Sequence, residues 1–290
     1  MKKLIKSFPV ASFILITVLY SWTLWLLMIL SNKGLLPFKF PTNFLGSFGP
    51  AIGALTVTGI IHGKTGFRNI LKSLVNWRTS AWSYLFAILF IIIVYIITAG
   101  IAWFIDPQLL KFGKMPGLTE SVIYFFVIAF LGGPLGEEIG WRGFLQPQLL
   151  RKFNPAISSL IIAFFWLLWH IPLFWLEGAA QSGGSVIYFG LSVLAMSFLF
   201  TLLYIKSKGS LLLAIIFHTV INYVSAFIIP FVLPATETDK TFGHISTFIL
   251  LGSAVVLFII YYKPFTAKQN DLQMNILNHQ VHRSKREGDE

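Results

Sequence analysis

Long apolar stretches recur along this 290-residue chain, and short polar stretches or stretches containing glycine and proline separate them. A helix needs about 20 mostly apolar residues to cross the hydrocarbon core of a bilayer. The stretches of that length are residues 9–31, 43–62, 82–105, 121–145, 155–176, 185–205, 211–233 and 243–262. The pattern therefore predicts an all-α fold, a polytopic membrane helix bundle with about eight transmembrane helices.

The composition agrees with a membrane protein. Hydrophobic residues make up 56% of the chain and charged residues only 11%, whereas about 25% of residues are charged in an ordinary soluble domain. Cysteine is absent, which excludes disulfides, thiolate metal ligands and a cysteine nucleophile. The first apolar stretch follows a basic start but is too long for a signal peptide, so we expect it to remain as an anchor.

The distribution of basic residues predicts the topology. The formal net charge is +11, which in a soluble protein would suggest nucleic acid as a partner. Here Arg142 is left out of the count because it lies inside a predicted span. Of the other Lys and Arg, 16 fall on the side of the membrane that holds both ends of the chain, and five fall on the opposite side. Cytoplasmic loops carry such an excess. We therefore expect a multi-pass protein of the cell membrane, surrounded by the lipid bilayer, with both termini cytoplasmic and no nucleic-acid partner.

A few ionisable side chains fall deep inside the predicted spans. They are Glu137, Glu138, Arg142, His170 and His218. A charge at the middle of a bilayer costs about 2.5–3.5 kcal/mol on insertion scales, so ionisable residues there usually mark function. Because these residues come from three separate spans, they indicate a shared site.

The first cluster combines an ion pair with a free carboxylate. Glu138 and Arg142 are four residues apart and share one helix face, so they can form a structural ion pair. Glu137 is rotated by about 100° from Glu138 and points to a different neighbour. Glycines at intervals of four allow another helix backbone to approach closely, and Pro134 is expected to bend the helix. These glycines are Gly132, Gly136 and Gly140.

The other two spans supply imidazoles and an amide. His170 alone is compatible with a simple helix-to-helix hydrogen bond, and His218 shares a helix face with Asn222. Taken together with Glu137, these groups fit a hydrolytic site, because a carboxylate can take a proton from water and later give it to a leaving amine. His170 can hold that water, while His218 and Asn222 can stabilise an oxyanion, each donor contributing about 2.7–4 kcal/mol.

The position of Glu137 also suggests where this site opens. Glu137 lies a few helical turns from Arg151 and Lys152, which the charge distribution assigns to the cytoplasmic side. We therefore expect a water-accessible cavity near that side.

These motifs resemble those of the CPBP family, the membrane proteases that comprise CAAX proteases and bacteriocin-processing enzymes. The family pattern is EExxxR, then FxxxH, then HxxxN, on successive core helices. It is matched by EEIGWR, by WLLWH and by HTVIN. The matching residues are Glu137, Glu138, Arg142, His170, His218 and Asn222. Trp166 stands where the family usually has Phe, which keeps an aromatic ring at that position.

The resemblance implies a CAAX-protease-like core over residues 119–225. N-terminal transmembrane helices (1–118) precede this core, and the end of the core with the last transmembrane helix (226–262) and a polar cytoplasmic tail (263–290) follow it.

The resemblance also implies roles for individual residues. Glu137 would activate water together with His170, and His218 with Asn222 would form an oxyanion hole. The residues expected to support the site are Glu138, Arg142 and Trp166. The protein would then be a glutamic intramembrane endopeptidase that needs no cofactor and acts on a membrane-associated peptide or protein.

Three alternatives remain open. A zinc-dependent protease would use His170, His218 and a glutamate as ligands, although the HExxH motif is absent. A proton-coupled transporter would use the same groups as a relay, although we find no inverted repeat. A non-enzymatic membrane partner, such as a bacteriocin self-immunity protein, would keep the fold without the chemistry.

Overall fold

The computed structural model describes residues 2–38, 44–110, 113–231 and 238–267, and every regular element in these ranges is helical. The first seven helices are α1 (Lys2–Ser7), α2 (Pro9–Asn32), α3 (Phe44–Ser47), α4 (Gly49–Leu74), α5 (Ala81–Ile105), α6 (Leu118–Leu131) and α7 (Pro134–Gly140). The others are α8 (Gln146–Leu150), α9 (Pro155–His170), α10 (Val186–Lys206), α11 (Leu211–Tyr223), α12 (Thr238–Ile260) and α13 (Tyr262–Thr266). The predicted tail lies mostly outside these residues.

Seven stretches of the described chain are long and apolar enough to cross a membrane. They are Pro9–Asn32, Ala81–Ile105, Leu118–Leu150, Pro155–Trp175, Val186–Lys206, Leu211–Ile228 and Lys240–Ile260. The predicted polytopic helix bundle is therefore confirmed. The predicted span over residues 43–62 is not among the seven, so the described chain has one fewer full-length apolar helix than the eight or so that the pattern predicts.

The missing span corresponds to α4, which is too short to cross the bilayer by itself. Gly63 interrupts it with φ 54° and ψ −140°. The straight part, residues 49–62, is about 21 Å long at 1.5 Å per residue, whereas the hydrocarbon core is about 30 Å thick.

Helix α4 nevertheless completes the second passage, because it lies antiparallel to α2 and begins part-way along it. An added Cβ would lie 2.1 Å from Trp25 at Gly46, 2.0 Å from Ser21 at Gly49 and 2.5 Å from Thr17 at Gly53. Successive glycines thus meet successively earlier residues of α2. The chain therefore returns at residue 62 to the side on which α2 began.

The helix ends define two sides of the bundle. On the side where the described chain begins and ends, Ser210 Oγ donates a 2.6 Å hydrogen bond to the carbonyl of Asn76, and Lys206 Nζ lies 4.3 Å from the ring centroid of Tyr261. We call it the basic side, for its described residues Lys2, Lys3, Lys6, Lys64, Arg68, Lys72, Arg78, Arg151, Lys152, Lys206, Lys208 and Lys263. The opposite side carries residues 106–110, 113–117 and 176–185, which connect helices.

The predicted span 121–145 is interrupted where the candidate site begins. Helix α6 ends at Leu131, and Gly133 has a φ of 110°. Pro134 then starts α7, where its missing N–H costs no hydrogen bond. Pro134 was expected to bend one helix, but it instead begins a second helix, α7. The chain continues through a π-helical turn, Trp141–Leu145, into α8.

Two of the three predicted glycines bring α7 against the end of α3 and the start of α4. A Cβ at Gly136 would lie 2.7 Å from the carbonyl oxygen of Ser47, and one at Gly140 would lie 2.3 Å from Pro50. The predicted close helix approach is confirmed for these two. Gly132 instead follows the end of α6, where a Cβ would meet Ile128 of its own helix.

Candidate active site

The four residues predicted to carry the chemistry line one cavity of about 630 Å³. They are Glu137, His170, His218 and Asn222. Trp166 also lines this cavity, whereas Glu138 and Arg142 lie behind its wall. Residues 81 positions apart in sequence, such as Glu137 and His218, are thus brought to one place by α7, α9 and α11. Their catalytic roles remain predictions.

Glu137 is held by a contact that the sequence analysis missed. Its side chain is only 5% exposed, and its Oε2 accepts a 2.6 Å hydrogen bond from Nε1 of Trp166. Trp166 stands where the related family usually has Phe. Unlike Phe, Trp carries an indole N–H that can donate a hydrogen bond, and this difference was the clue in the sequence. The other oxygen, Oε1, lies where Gly133 leaves room, because a Cβ there would be 2.7 Å away.

His170 presents a free ring nitrogen at the end of α9. Its Nδ1 lies 2.7 Å from the carbonyl oxygen of Trp166. A carbonyl only accepts hydrogen bonds, so we assign the proton of the neutral imidazole to Nδ1. The ring is packed between Trp169 and Phe189, at centroid distances of 4.6 and 4.9 Å. Nε2 is therefore the atom that can accept a hydrogen bond from water.

Glu138 contacts two side chains at the buried wall of the cavity. Its carboxylate lies 3.3 Å from Nη1 of Arg142, as the four-residue spacing predicts, and Oε1 also lies 2.7 Å from Nδ1 of His218. The second contact was not predicted. The guanidinium of Arg142 lies 4.6 Å from the ring centroid of Trp166 and 4.0 Å from that of Phe200. These cation–π contacts favour a cation that is only 1% exposed.

Asn222 and His218 face the cavity from one side of α11. Nδ2 of Asn222 donates a 3.3 Å hydrogen bond to the carbonyl of Gly132, which leaves its second N–H available. His218 directs Nδ1 to Glu138. Its other ring nitrogen, Nε2, is therefore the position from which an N–H could be donated into the cavity. Both residues can supply donors to one acceptor.

A zinc site would need several histidine or acidic side chains grouped around one point. Within the part of the chain that the structure describes, no group of three or more His, Cys, Asp or Glu side chains is placed to hold a metal ion. Whether the reaction depends on zinc can be tested by chelation.

The cavity opens on the side opposite the basic side. Its lining includes Ala179, Ala180 and Gln181 of the connection between α9 and α10. Towards the basic side the bundle is filled by buried side chains. These are Phe144, Leu145, Leu203, Leu213 and Phe217. The expectation that the cavity opens near Arg151 is therefore wrong, because position along a helix gives depth, whereas access depends on how neighbouring helices pack.

Comparison with known proteins finds similarity over the segment that carries the candidate site. Residues 119–224 match the family model "Type II CAAX prenyl endopeptidase Rce1-like". A protein of Methanococcus maripaludis described as CAAX prenyl protease 2 is 30% identical over 128 residues, which cover 42% of this chain and 45% of that protein. The chain thus spans less than half the length of the curated relative that it matches. The matched segment runs from α6 to α11 and contains every residue of the candidate site, so the core of this chain is similar to CAAX prenyl endopeptidases.

Proposed function

We propose that this protein is an intramembrane endopeptidase that hydrolyses a peptide bond with water activated by Glu137 and His170. The observation that carries the proposal is the shared cavity, in which a carboxylate, a free imidazole nitrogen and two further polar side chains meet. Nothing in this reaction requires a protein nucleophile, which suits a site whose described lining contains no cysteine.

The proposed reaction begins with a water molecule between Glu137 and Nε2 of His170. Its oxygen attacks the carbonyl carbon of the scissile peptide bond, while its proton moves to the carboxylate of Glu137. The carbonyl oxygen becomes an oxyanion and accepts hydrogen bonds from the free N–H of Asn222 and from Nε2–H of His218. When the C–N bond breaks, Glu137 returns the proton to the leaving amine.

The buried residues behind the wall hold these groups in place. Glu138 fixes the orientation of His218 through its 2.7 Å contact, and Arg142 balances the charge of Glu138. Trp166 links the two halves of the site, because its indole contacts Glu137 and its carbonyl contacts His170. We assign positioning roles to all three.

The setting we propose is the cell membrane, with both termini in the cytoplasm. The two ends of the described chain lie on the basic side, and Lys and Arg concentrate on the cytoplasmic side of membrane proteins. The substrate would be a membrane-associated peptide or protein.

The test is a cleavage assay on purified protein in detergent, using peptides from membrane fractions. Glu137→Gln preserves shape but cannot accept the proton of water, so the rate should fall by at least about 10²-fold, the lower end for general-base catalysis. Folding should be unchanged by size-exclusion profile and thermal unfolding. Full activity in Glu137→Gln would refute the proposed mechanism, and a wild-type protein that cleaves nothing would favour the immunity-partner alternative.

A further inference from the structure

We infer that the cavity receives an apolar, uncharged peptide segment presented on the extracytoplasmic face of the membrane. The chemistry of this inference rests on the proposed peptidase function, whereas the direction of access does not. Three observations support it: the location of the lining, the distribution of charge between the two sides, and the side chains at the mouth.

The lining comes from the helix halves that end on the side opposite the basic side. Helix α10 begins there and contributes residues from Phe189 to Met196, within its first half. Helix α12 contributes Ser246 from its first half and Leu250 from its middle. Helix α6, which starts on the same side, contributes Tyr124 and its C-terminal residues. In contrast, no described residue of the basic-side connections 63–80, 151–154 or 207–210 lines the cavity.

The charges assign the two sides to the two faces of the membrane. Nearly all described Lys and Arg outside the spans lie on the basic side, whereas Lys33, Lys114 and Lys240 lie opposite, together with acidic residues such as Asp106 and Glu177. The excess of Lys and Arg marks the cytoplasmic face. The cavity mouth therefore faces away from the cytoplasm.

The mouth and walls accept apolar rather than charged groups. No Lys or Arg is present among the described residues that line the cavity, and Glu137 is the sole carboxylate there. The aromatic lining residues are Trp25, Phe44, Tyr95, Tyr124, Trp166, Trp169 and Phe189. A charged substrate side chain would lose its hydration without gaining a partner, which is costly. An apolar stretch of peptide matches this lining.

The direction of access is tested by single-cysteine labelling, for which the natural chain is a ready background because it has no cysteine. Ala180→Cys places a thiol at the mouth, and Asn69→Cys places one on an exposed position of α4 on the basic side. Spheroplasts are treated with a membrane-impermeant maleimide, before and after permeabilisation, and the unsubstituted protein serves as the blank.

Ala180→Cys should be labelled in intact spheroplasts, and Asn69→Cys only after permeabilisation. The reverse pattern would overturn the inference. Labelling of both variants before permeabilisation would also overturn it, because the protein would then be present in both orientations. Labelling of neither variant would overturn it as well. The same labelling is repeated with Glu137→Gln added to each variant, so that the direction of access is measured in protein that cannot cleave a substrate.

The substrate class is tested in proteoliposomes with peptides added from outside. A peptide with an apolar stretch should be cleaved at least tenfold faster than the same peptide with one Lys in that stretch, and Glu137→Gln provides the background rate. Reaction of Ala180→Cys with the impermeant reagent should block this cleavage. Equal cleavage of both peptides would refute the substrate class. Absence of all cleavage, with Ala180→Cys still labelled from outside, would refute the peptidase function and leave the direction of access standing.

Discussion

The indole N–H of Trp166 donates a 2.6 Å hydrogen bond to Oε2 of Glu137, so the candidate base is tied to the helix that carries the candidate partner, His170. The carbonyl of the same tryptophan accepts the Nδ1–H of His170. One residue of α9 therefore sets the orientation of a carboxylate on α7 and of an imidazole one turn further along α9.

Trp166→Phe should slow cleavage while the protein still folds. The variant keeps an aromatic ring but removes the donor to Glu137, and a hydrogen bond to a charged group contributes about 1.5–3 kcal/mol. We expect kcat to fall by roughly tenfold or more. The measurement is the detergent cleavage assay, accompanied by thermal unfolding.

Trp141→Phe is the matched control. Trp141 is also fully buried, and its indole N–H has no hydrogen-bond partner among the described residues. It does not line the cavity. Equal losses of activity in the two variants would show that ring volume, not the hydrogen bond to Glu137, is what matters.

Glu138→Gln should reduce stability as well as activity. It leaves the buried guanidinium of Arg142 without its anionic partner, and breaking a buried pair in this way costs about 3–5 kcal/mol. The double variant Glu138→Gln with Arg142→Met removes both charges and should regain much of the stability without regaining activity, because His218 still lacks its carboxylate. Thermal unfolding in detergent measures the first effect. An unchanged unfolding temperature in the single variant would contradict the ion-pair role.

Gly133→Ala should impair catalysis more than stability. The new methyl group would lie 2.7 Å from Oε1 of Glu137 and would displace the carboxylate. A displacement of about 1 Å can cost up to 10²-fold in rate. Gly34→Ala is the control, because Gly34 also has a positive φ, 70°, but no atom lies within 4 Å of an added Cβ. If both variants retain wild-type kcat, the space at Gly133 is not needed for the reaction.

A strong chelator should leave the cleavage rate unchanged. The proposed reaction uses the carboxylate of Glu137 and imidazole nitrogens without a metal. Activity is measured after dialysis against the chelator, and again after adding zinc. Loss on chelation with recovery on adding zinc would replace the glutamate mechanism with the zinc alternative.

The sequence predicted most of the bundle because transmembrane helices are marked by their length and hydropathy. The exception was α4, where Gly49, Gly53 and Gly63 make a helix that depends on packing against α2 for its place. Sequence spacing also predicted the Glu138–Arg142 contact, since both partners lie on one helix. The contacts of Glu138 with His218 and of Glu137 with Trp166 join different helices. Neither they nor the direction in which the cavity opens can be deduced from spacing along the chain.

The shortness of α4 has a consequence for how the protein is made. A helix of about 21 Å that is interrupted by glycines cannot match the thickness of a bilayer on its own. Its close partners are α2, synthesised just before it, and α7, synthesised much later, which meets Ser47 and Pro50 through Gly136 and Gly140. The contacts that this segment makes with α7 can therefore form only once the site-bearing helix has been synthesised, which links the packing of α4 to the wall beside Glu137.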